Sequence, residues 1–247
     1  MRIAVVSDIH SNGEALDAVA RKIESLRPDR VVHLGDLTGY NAEPDRCVRW
    51  VRDREVPGVV GNHDAVVAGR ADGRFFHAPA LAAARWSAAH VSRETLDYLG
   101  TLPESLRLGP DILLVHGAPS DPDRYLFLPE DAEEEIHALH PGEQGAPRVV
   151  FFGHTHVPCA FVRRRDGATV SAPLEGFRLG KGEIGMFNPG SVGQPRDRDP
   201  RASFLLYDAD TGGVEWLRVP YDVPACQRKV TAAGLPPFFA GRLEFGT

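Results

Sequence analysis

Apolar positions in this chain gather into short continuous runs, and five of those runs stop abruptly at an aspartate, asparagine or histidine. Residues 3–6 lead into Ser7, Asp8, Ile9 and His10, residues 31–34 into Gly35 and Asp36, and Val59-Val60 into Gly61, Asn62, His63 and Asp64. Residues 112–115 lead into His116 and Gly117, and residues 149–152 into Gly153, His154, Thr155 and His156. Continuous, largely β-branched runs are typical of strands covered on both faces, where neither face needs polar residues. Between the first runs the period changes. Over Gly13–Leu26, the residues Ala15, Leu16, Val19, Ala20 and Ile23 share one side of a 3.6-residue repeat, which predicts a helix, and residues 44–54 predict a second. The resulting β-α-β-α-β order implies parallel strands joined by helical crossovers. Ligands of such sheets bind beyond the carboxyl ends of the strands, which is where the polar tips fall.

Residues 64–100 are alanine-rich and helical in pattern, and they interrupt the alternation as an insertion beside those tips. Residues 117–147 are acidic and proline-rich, with a short helix expected over 130–139. From Cys159 to Val219 the pattern predicts strands at 169–172, 185–187, 203–207 and 214–219, separated by glycine-rich turns. These are expected to form a second, more antiparallel sheet packed on the first. The expected organisation is one α/β domain over residues 1–247, with the helical insertion at about 64–100 and a helical tail at about 221–247.

Composition narrows the classes of partner. A net charge of −6 disfavours a protein that coats nucleic acid, although bound cations would still admit anionic substrates. Cys47, Cys159 and Cys226 are far apart, which argues against both a disulfide framework and a zinc ribbon. The apolar run after Arg2 is too short for a signal peptide, and no stretch approaches the roughly 18 apolar residues of a membrane span. A cytoplasmic protein without a membrane partner is therefore expected.

The polar tips carry the chemistry. Side chains two apart in extended backbone point the same way, so Asp8 with His10, and His154 with His156, can each converge on one centre. Carboxylate, imidazole and carboxamide donors suit manganese, iron, zinc or nickel. Asp8, His10, Asp36, Asn62, His116, His154 and His156 exceed what one tetrahedral ion needs, which suggests two ions sharing a carboxylate. Independent turn or cap roles for all seven are the bland alternative, and their recurrence at successive strand ends weighs against it.

The ordered set of Asp8-Ile9-His10, Gly35-Asp36, Gly61-Asn62-His63-Asp64, His116-Gly117 and Gly153-His154-Thr155-His156 resembles the signature of calcineurin-like metallophosphoesterases. The likeness extends over roughly residues 1–195, because Asn188-Pro189-Gly190-Ser191-Val192-Gly193 is similar to a segment of small bacterial members. It implies a four-layer α/β/β/α sandwich of two mixed sheets. It also implies one metal at Asp8, His10, Asp36 and His156, and another at Asp36, Asn62, His116 and His154, with Asp36 bridging. By the same likeness a metal-bridging hydroxide attacks phosphorus, and His63 protonates the leaving group or stabilises phosphoryl charge. Asp64 would orient His63. The implied substrate is a small phosphate ester, a phosphodiester before a phosphomonoester, with nucleotides and dinucleoside polyphosphates as alternatives. An interaction scaffold without catalysis is the reading of another class, and the intact ligand set disfavours it.

Other residues stay open. Tyr40 and Asn41 fit either a pocket wall or a tight turn, and Arg196 and Arg198 fit either phosphate contacts or loop charges. His77, after Phe75-Phe76, stands where a substrate contact is conceivable, whereas His33 reads as a core histidine. Arg163-Arg164-Arg165, followed by Asp166-Gly167, reads as a solvated hairpin turn.

Overall fold

The computed structural model describes all 247 residues. Its first strand, β1 (Arg2–Val6), is followed by helix α1 (Gly13–Leu26), strand β2 (Arg30–His33) and helix α2 (Pro44–Asp53). Helix α1 begins where the Asn12 side chain accepts a hydrogen bond from the Ala15 N–H, and it ends at Arg27 in the left-handed conformation. Its buried side includes the five predicted residues. Three helices follow: α3 (Asn62–Val67), α4 (Ala78–His90) and α5 (Arg93–Thr101). Next come β3 (Ser105–Leu108), β4 (Ile112–Val115), α6 (Pro129–Ala138) and β5 (Val149–Phe151). The remaining strands are β6 (Cys159–Arg163), β7 (Thr169–Ser171), β8 (Phe177–Arg178), β9 (Ile184–Asn188), β10 (Ala202–Asp208) and β11 (Gly213–Val219). Helices α7 (Val223–Ala232) and α8 (Pro237–Phe245) complete the order.

Two mixed sheets result, ordered β2-β1-β10-β11-β8 and β3-β4-β5-β9-β6-β7. They face each other across a shared core that includes Ile3, Val5, Leu114, Phe151, Phe187 and Leu205. The outer face of the first sheet packs on α1 and α2 through residues such as Ala4, Val6, Leu16, Val19 and Val48. That of the second packs on α6 through Val150, Phe152, Ala132 and Ile136. Each valine, leucine, isoleucine or phenylalanine among them, fully buried, contributes about 1.5–3 kcal/mol by leaving water. The architecture is the four-layer sandwich expected.

The partition of strands differs from expectation. The later strands do not form a sheet of their own: β10 pairs antiparallel with β1, while β5 lies between β4 and β9 in the second sheet and pairs parallel with both. Residues buried on both faces satisfy either sheet, so composition alone leaves the partner open. The Val59-Val60 run makes no strand. It is held instead by an isolated bridge from Gly58 to His33. Arg163 ends β6, and the turn beyond it is closed by the Arg164 N–H donating to the Ala168 carbonyl, as the hairpin reading required.

Candidate metal centre

The five polar tips meet at one place, beyond the carboxyl ends of β1, β2, β4 and β5. Ligand atoms of Asp8, His10, Asp36 and His156 lie within 4.8 Å of one another, and so do those of Asp36, His116 and His154. Asp36 belongs to both groups. Its Oδ2 is 3.4 Å from His10 Nε2 and 3.5 Å from His116 Nε2, while its Oδ1 accepts the His63 N–H at 2.9 Å. Asn62 joins the second group, with Oδ1 3.1 Å from His116 Nε2.

Hydrogen bonds to backbone carbonyls fix how the imidazoles face inward. His10 Nδ1 donates to the Thr38 carbonyl at 2.8 Å and His156 Nδ1 to the Gln194 carbonyl at 2.6 Å. Burial holds both rings neutral, far below the usual histidine range. A neutral ring carries one N–H, so the two Nε2 lone pairs face each other at 3.1 Å with no proton between them. Asp8 Oδ1, 3.3 Å from His156 Nε2, is buried without a hydrogen-bond partner. Three unsatisfied donor atoms converging in a buried site are the arrangement a cation satisfies and water-free protein does not. The residues fit a metal.

The second group is built the same way and differs in charge. His116 Nδ1 donates to the Leu34 carbonyl at 2.7 Å, and His154 Nε2 donates to the Asp123 carbonyl at 3.1 Å. His116 Nε2 and His154 Nδ1 face each other at 3.1 Å. Burial alone would lower His116, but the Asp36 carboxylate, joined by Asp8, outweighs it and raises the imidazole to about 10. Burial of His154, reinforced by the neighbouring His116 charge, pushes it down to about 3. Without a cation, a proton on His116 stands in for one. Burial would raise Asp36, yet His116, His63 and His10 hold it well below the carboxylate range. Burial leaves Asp8 up at about 7, despite His116 and the Ser7 hydroxyl bonded to its Oδ2.

The backbone around these groups is unusual. Asp8, His10, Asp36, His154 and His156 all have φ between 45° and 66°, a region that costs non-glycine residues on the order of 1–2 kcal/mol each. Such conformations persist where the surroundings over-determine them. Here the end of β9 and the segment after it supply much of that constraint. Asn188 donates to the Gly153 carbonyl and Thr155 Oγ1, Ser191 Oγ donates to the Asp8 carbonyl, and the Gly193 N–H donates to the same carbonyl.

His63 lies beside the cluster without joining either ligand group. Its ring packs on Tyr40 and Phe76 at centroid distances of 4.5 and 4.6 Å, and burial lowers it to about 4. The Asp64 carboxylate does not touch it. That carboxylate accepts from the Leu37 and Thr38 N–H groups and from the Thr38 hydroxyl. Asp64 thus organises the turn carrying Asp36 rather than orienting His63, because the first turn of α3 directs its side chain back toward residues 37 and 38.

The open residues also find places. Tyr40 packs on His10 at 4.4 Å and Arg196 donates to its hydroxyl at 3.2 Å, both beside a cleft of about 960 Å3. Asn41 is a scaffold residue, donating to the His10 carbonyl at 2.8 Å. His33 is buried and neutral, accepting the Gly35 N–H through Nδ1. Tyr125, unmarked in the sequence, stacks on His154 at 4.0 Å and lines the cleft. The carbonyls of Leu34, Thr38, Asp123 and Gln194 leave no side-chain trace from which they could have been anticipated.

A profile of the calcineurin-like phosphoesterase superfamily domain matches residues 1–212. The chain belongs to that superfamily. This phosphoesterase is 34% identical over 248 residues to an uncharacterised protein of Methanocaldococcus jannaschii, a match covering 99% of this chain and 98% of the other. It superposes on the crystal structure of a metallophosphoesterase from Sphaerobacter thermophilus with a TM-score of 0.83 and 34% identity, covering 100% of both chains. A hypothetical protein from Pyrococcus horikoshii shares the fold, with a TM-score of 0.81 at 21% identity over 100% of this chain and 98% of that one. The protein is thus a phosphoric ester hydrolase of a metal-dependent family, which sets aside the non-catalytic scaffold. No helix is long and apolar enough to cross a membrane.

Proposed function

We propose that this phosphoesterase hydrolyses a phosphodiester at a dinuclear centre. One divalent cation would be held by Asp8, His10, Asp36 and His156, the other by Asp36, Asn62, His116 and His154. The observation that carries this reading is the pairing of His10 Nε2 with His156 Nε2, two lone pairs aimed at one buried point beside the partnerless Asp8 Oδ1. Asp36 Oδ2, nearly equidistant from His10 and His116, suits a bridging carboxylate. The nitrogen and oxygen donors, without a thiolate, suit manganese, iron, zinc or nickel. Two bound cations would lower the pKa of water toward neutrality and neutralise charge on the phosphoryl oxygens.

The chain's own groups then position and shield the ester. Carbonyl hydrogen bonds hold the four imidazoles in the tautomers that leave inward lone pairs, so no reorganisation is needed during reaction. His63, kept neutral by burial, acts as a hydrogen-bond donor to phosphoryl oxygens rather than as a proton carrier. Tyr125 and Phe76 give the cleft aromatic walls, and its volume of about 960 Å3 leaves room for substituents on both sides of a diester. A nucleotide ester would use those walls for stacking.

A screen of metal-depleted protein reconstituted with manganese, nickel, zinc or magnesium tests this reading. The expected result is metal-dependent turnover of bis-p-nitrophenyl phosphate exceeding that of p-nitrophenyl phosphate. Faster turnover of the monoester would remove the diester preference.

A further inference from the structure

Four arginines line the cleft, and they differ in what they touch. Arg74 is paired with Asp72, and Arg70 donates to the Leu102 carbonyl at 2.6 Å. Arg196 and Arg242 have no aspartate or glutamate within ion-pair distance. Arg196 is anchored through Nη2 to Tyr40 and Gln194, each at 3.2 Å, and its Nε is buried without a hydrogen-bond partner. Arg242 projects from α8, which is seated against the site by Phe239 packing on Tyr40 at 4.9 Å. The Arg242 guanidinium lies over the Phe238 ring at 5.0 Å, and its Nε donates to the Thr247 backbone oxygen, leaving both Nη groups without a hydrogen-bond partner.

His77 stands on the same wall. Its Nδ1 accepts the Ala80 N–H at 3.2 Å, so the neutral ring carries its proton on Nε2 and offers a donor to the cleft. The three groups feel one another: burial first, then the Arg196 and Arg242 charges, lower His77, and burial with Arg196 lowers Arg242 to about 10. Arg196, with no carboxylate within ion-pair distance, and the two unengaged Nη groups of Arg242 are donors that an arriving anion can use. Arg196 lies over the Tyr40 ring at 5.6 Å, and Tyr40 packs on His10 at 4.4 Å, so Arg196 is the member that borders the metal centre. Arg196, Arg242 and His77 line one cleft, which meets the metal centre at Asn62 and His154.

We propose that Arg196, Arg242 and His77 form a subsite for a second, non-reacting phosphate of the substrate. The preferred substrate is then a phosphate ester that carries a further phosphoryl group, as an organic polyphosphate or bisphosphate does. The inference rests on the phosphoesterase reading of the metal centre and adds the substrate class. Arg242 comes from α8, beyond the residues 1–212 matched by the superfamily profile, so the outer contact of the subsite is supplied by the C-terminal helix. Arg196 supplies the inner contact and Arg242 the outer one, with the guanidinium forks suited to phosphate oxygens.

Calorimetry on the metal-loaded protein with butylphosphonate and 1,4-butanebisphosphonate tests the subsite without turnover, since the two differ by one anionic group. The bisphosphonate is expected to bind about tenfold or more tightly than the monophosphonate, as a charge-assisted contact would give. In Arg242→Ala that ratio should fall toward one, with Arg242→Lys keeping part of it and the melting temperature confirming a folded protein. An equal affinity of the wild type for both ligands overturns the subsite, as does a ratio that Arg242→Ala leaves unchanged. Failure of the metal-centre reading would register separately, as an absence of metal-dependent hydrolysis of bis-p-nitrophenyl phosphate.

Discussion

His10 and His156 present bare Nε2 atoms to each other at 3.1 Å, because each ring spends its only proton on a backbone carbonyl. Nothing in the protein satisfies that pair. The local fold forces it, through left-handed backbone at both residues and carbonyls placed by the loops after Asp36 and Ser191. A cation between the rings and the Asp8 carboxylate would satisfy all three atoms at once.

The charge state of His116 predicts how pH acts on the metal-depleted protein. An imidazole raised from 6.5 to about 10 on folding binds its proton more tightly in the native state. Its stabilisation is complete below the unfolded value and is lost as pH rises through the folded one. Asp8, raised to about 7, acts in the same direction at lower pH. The other site histidines are lowered and no longer distinguish folded from unfolded protein above about pH 7. The melting temperature of metal-depleted protein should therefore fall between pH 7 and 10, and added manganese should flatten the slope. Metal binding should also release protons, measurable by calorimetry in buffers of different ionisation enthalpy.

Asp36→Asn removes the charge shared by both groups while keeping the shape. Hydrolysis should fall by at least about a hundredfold, with weaker metal retention at both positions. Circular dichroism should show the fold intact. Near-normal turnover would mean that Asp36 does not bridge.

For His63, held neutral at about 4, the expected role is charge stabilisation. His63→Ala should then slow good and poor leaving groups by a similar factor, on the order of 10²–10³ as for loss of one oxyanion donor. Metal content should stay the same. A loss that grows with the leaving group's pKa would instead identify His63 as a proton donor.

Gly39 tests the packing beneath His63. It sits at φ 91°, and a methyl group there would come within 2.3 Å of His63 Nδ1. Gly39→Ala should cost about 1–3 kcal/mol, a drop of several degrees in melting temperature, and should reduce turnover by displacing the ring. Unaltered melting and turnover would show that the loop moves aside freely.

Much of this site was legible in the sequence, for a physical reason. Buried strands have apolar runs, so an aspartate or histidine that ends such a run lies at a sheet edge where ligands gather, as Asp8, His116 and His154 do. Helix α1 was legible because Asn12 and the apolar side of residues 15–23 specify it locally. Sheet membership was not, since β4 and β10 are covered on both faces and would suit either partner. The contact expected between Asp64 and His63 failed because adjacency along the chain says nothing about where a helix's first turn directs a carboxylate. Tyr125 and Arg242 reach the cleft from a loop and from the final helix, and no local pattern announces that convergence.

Anomalous scattering from crystals grown with manganese tests the dinuclear centre most directly. Two peaks are predicted, roughly 3.5–4 Å apart as in other two-metal sites. One should lie among Asp8, His10, Asp36 and His156, the other among Asp36, Asn62, His116 and His154. A single peak at full occupancy, or two peaks that do not share Asp36, would contradict the bridged arrangement.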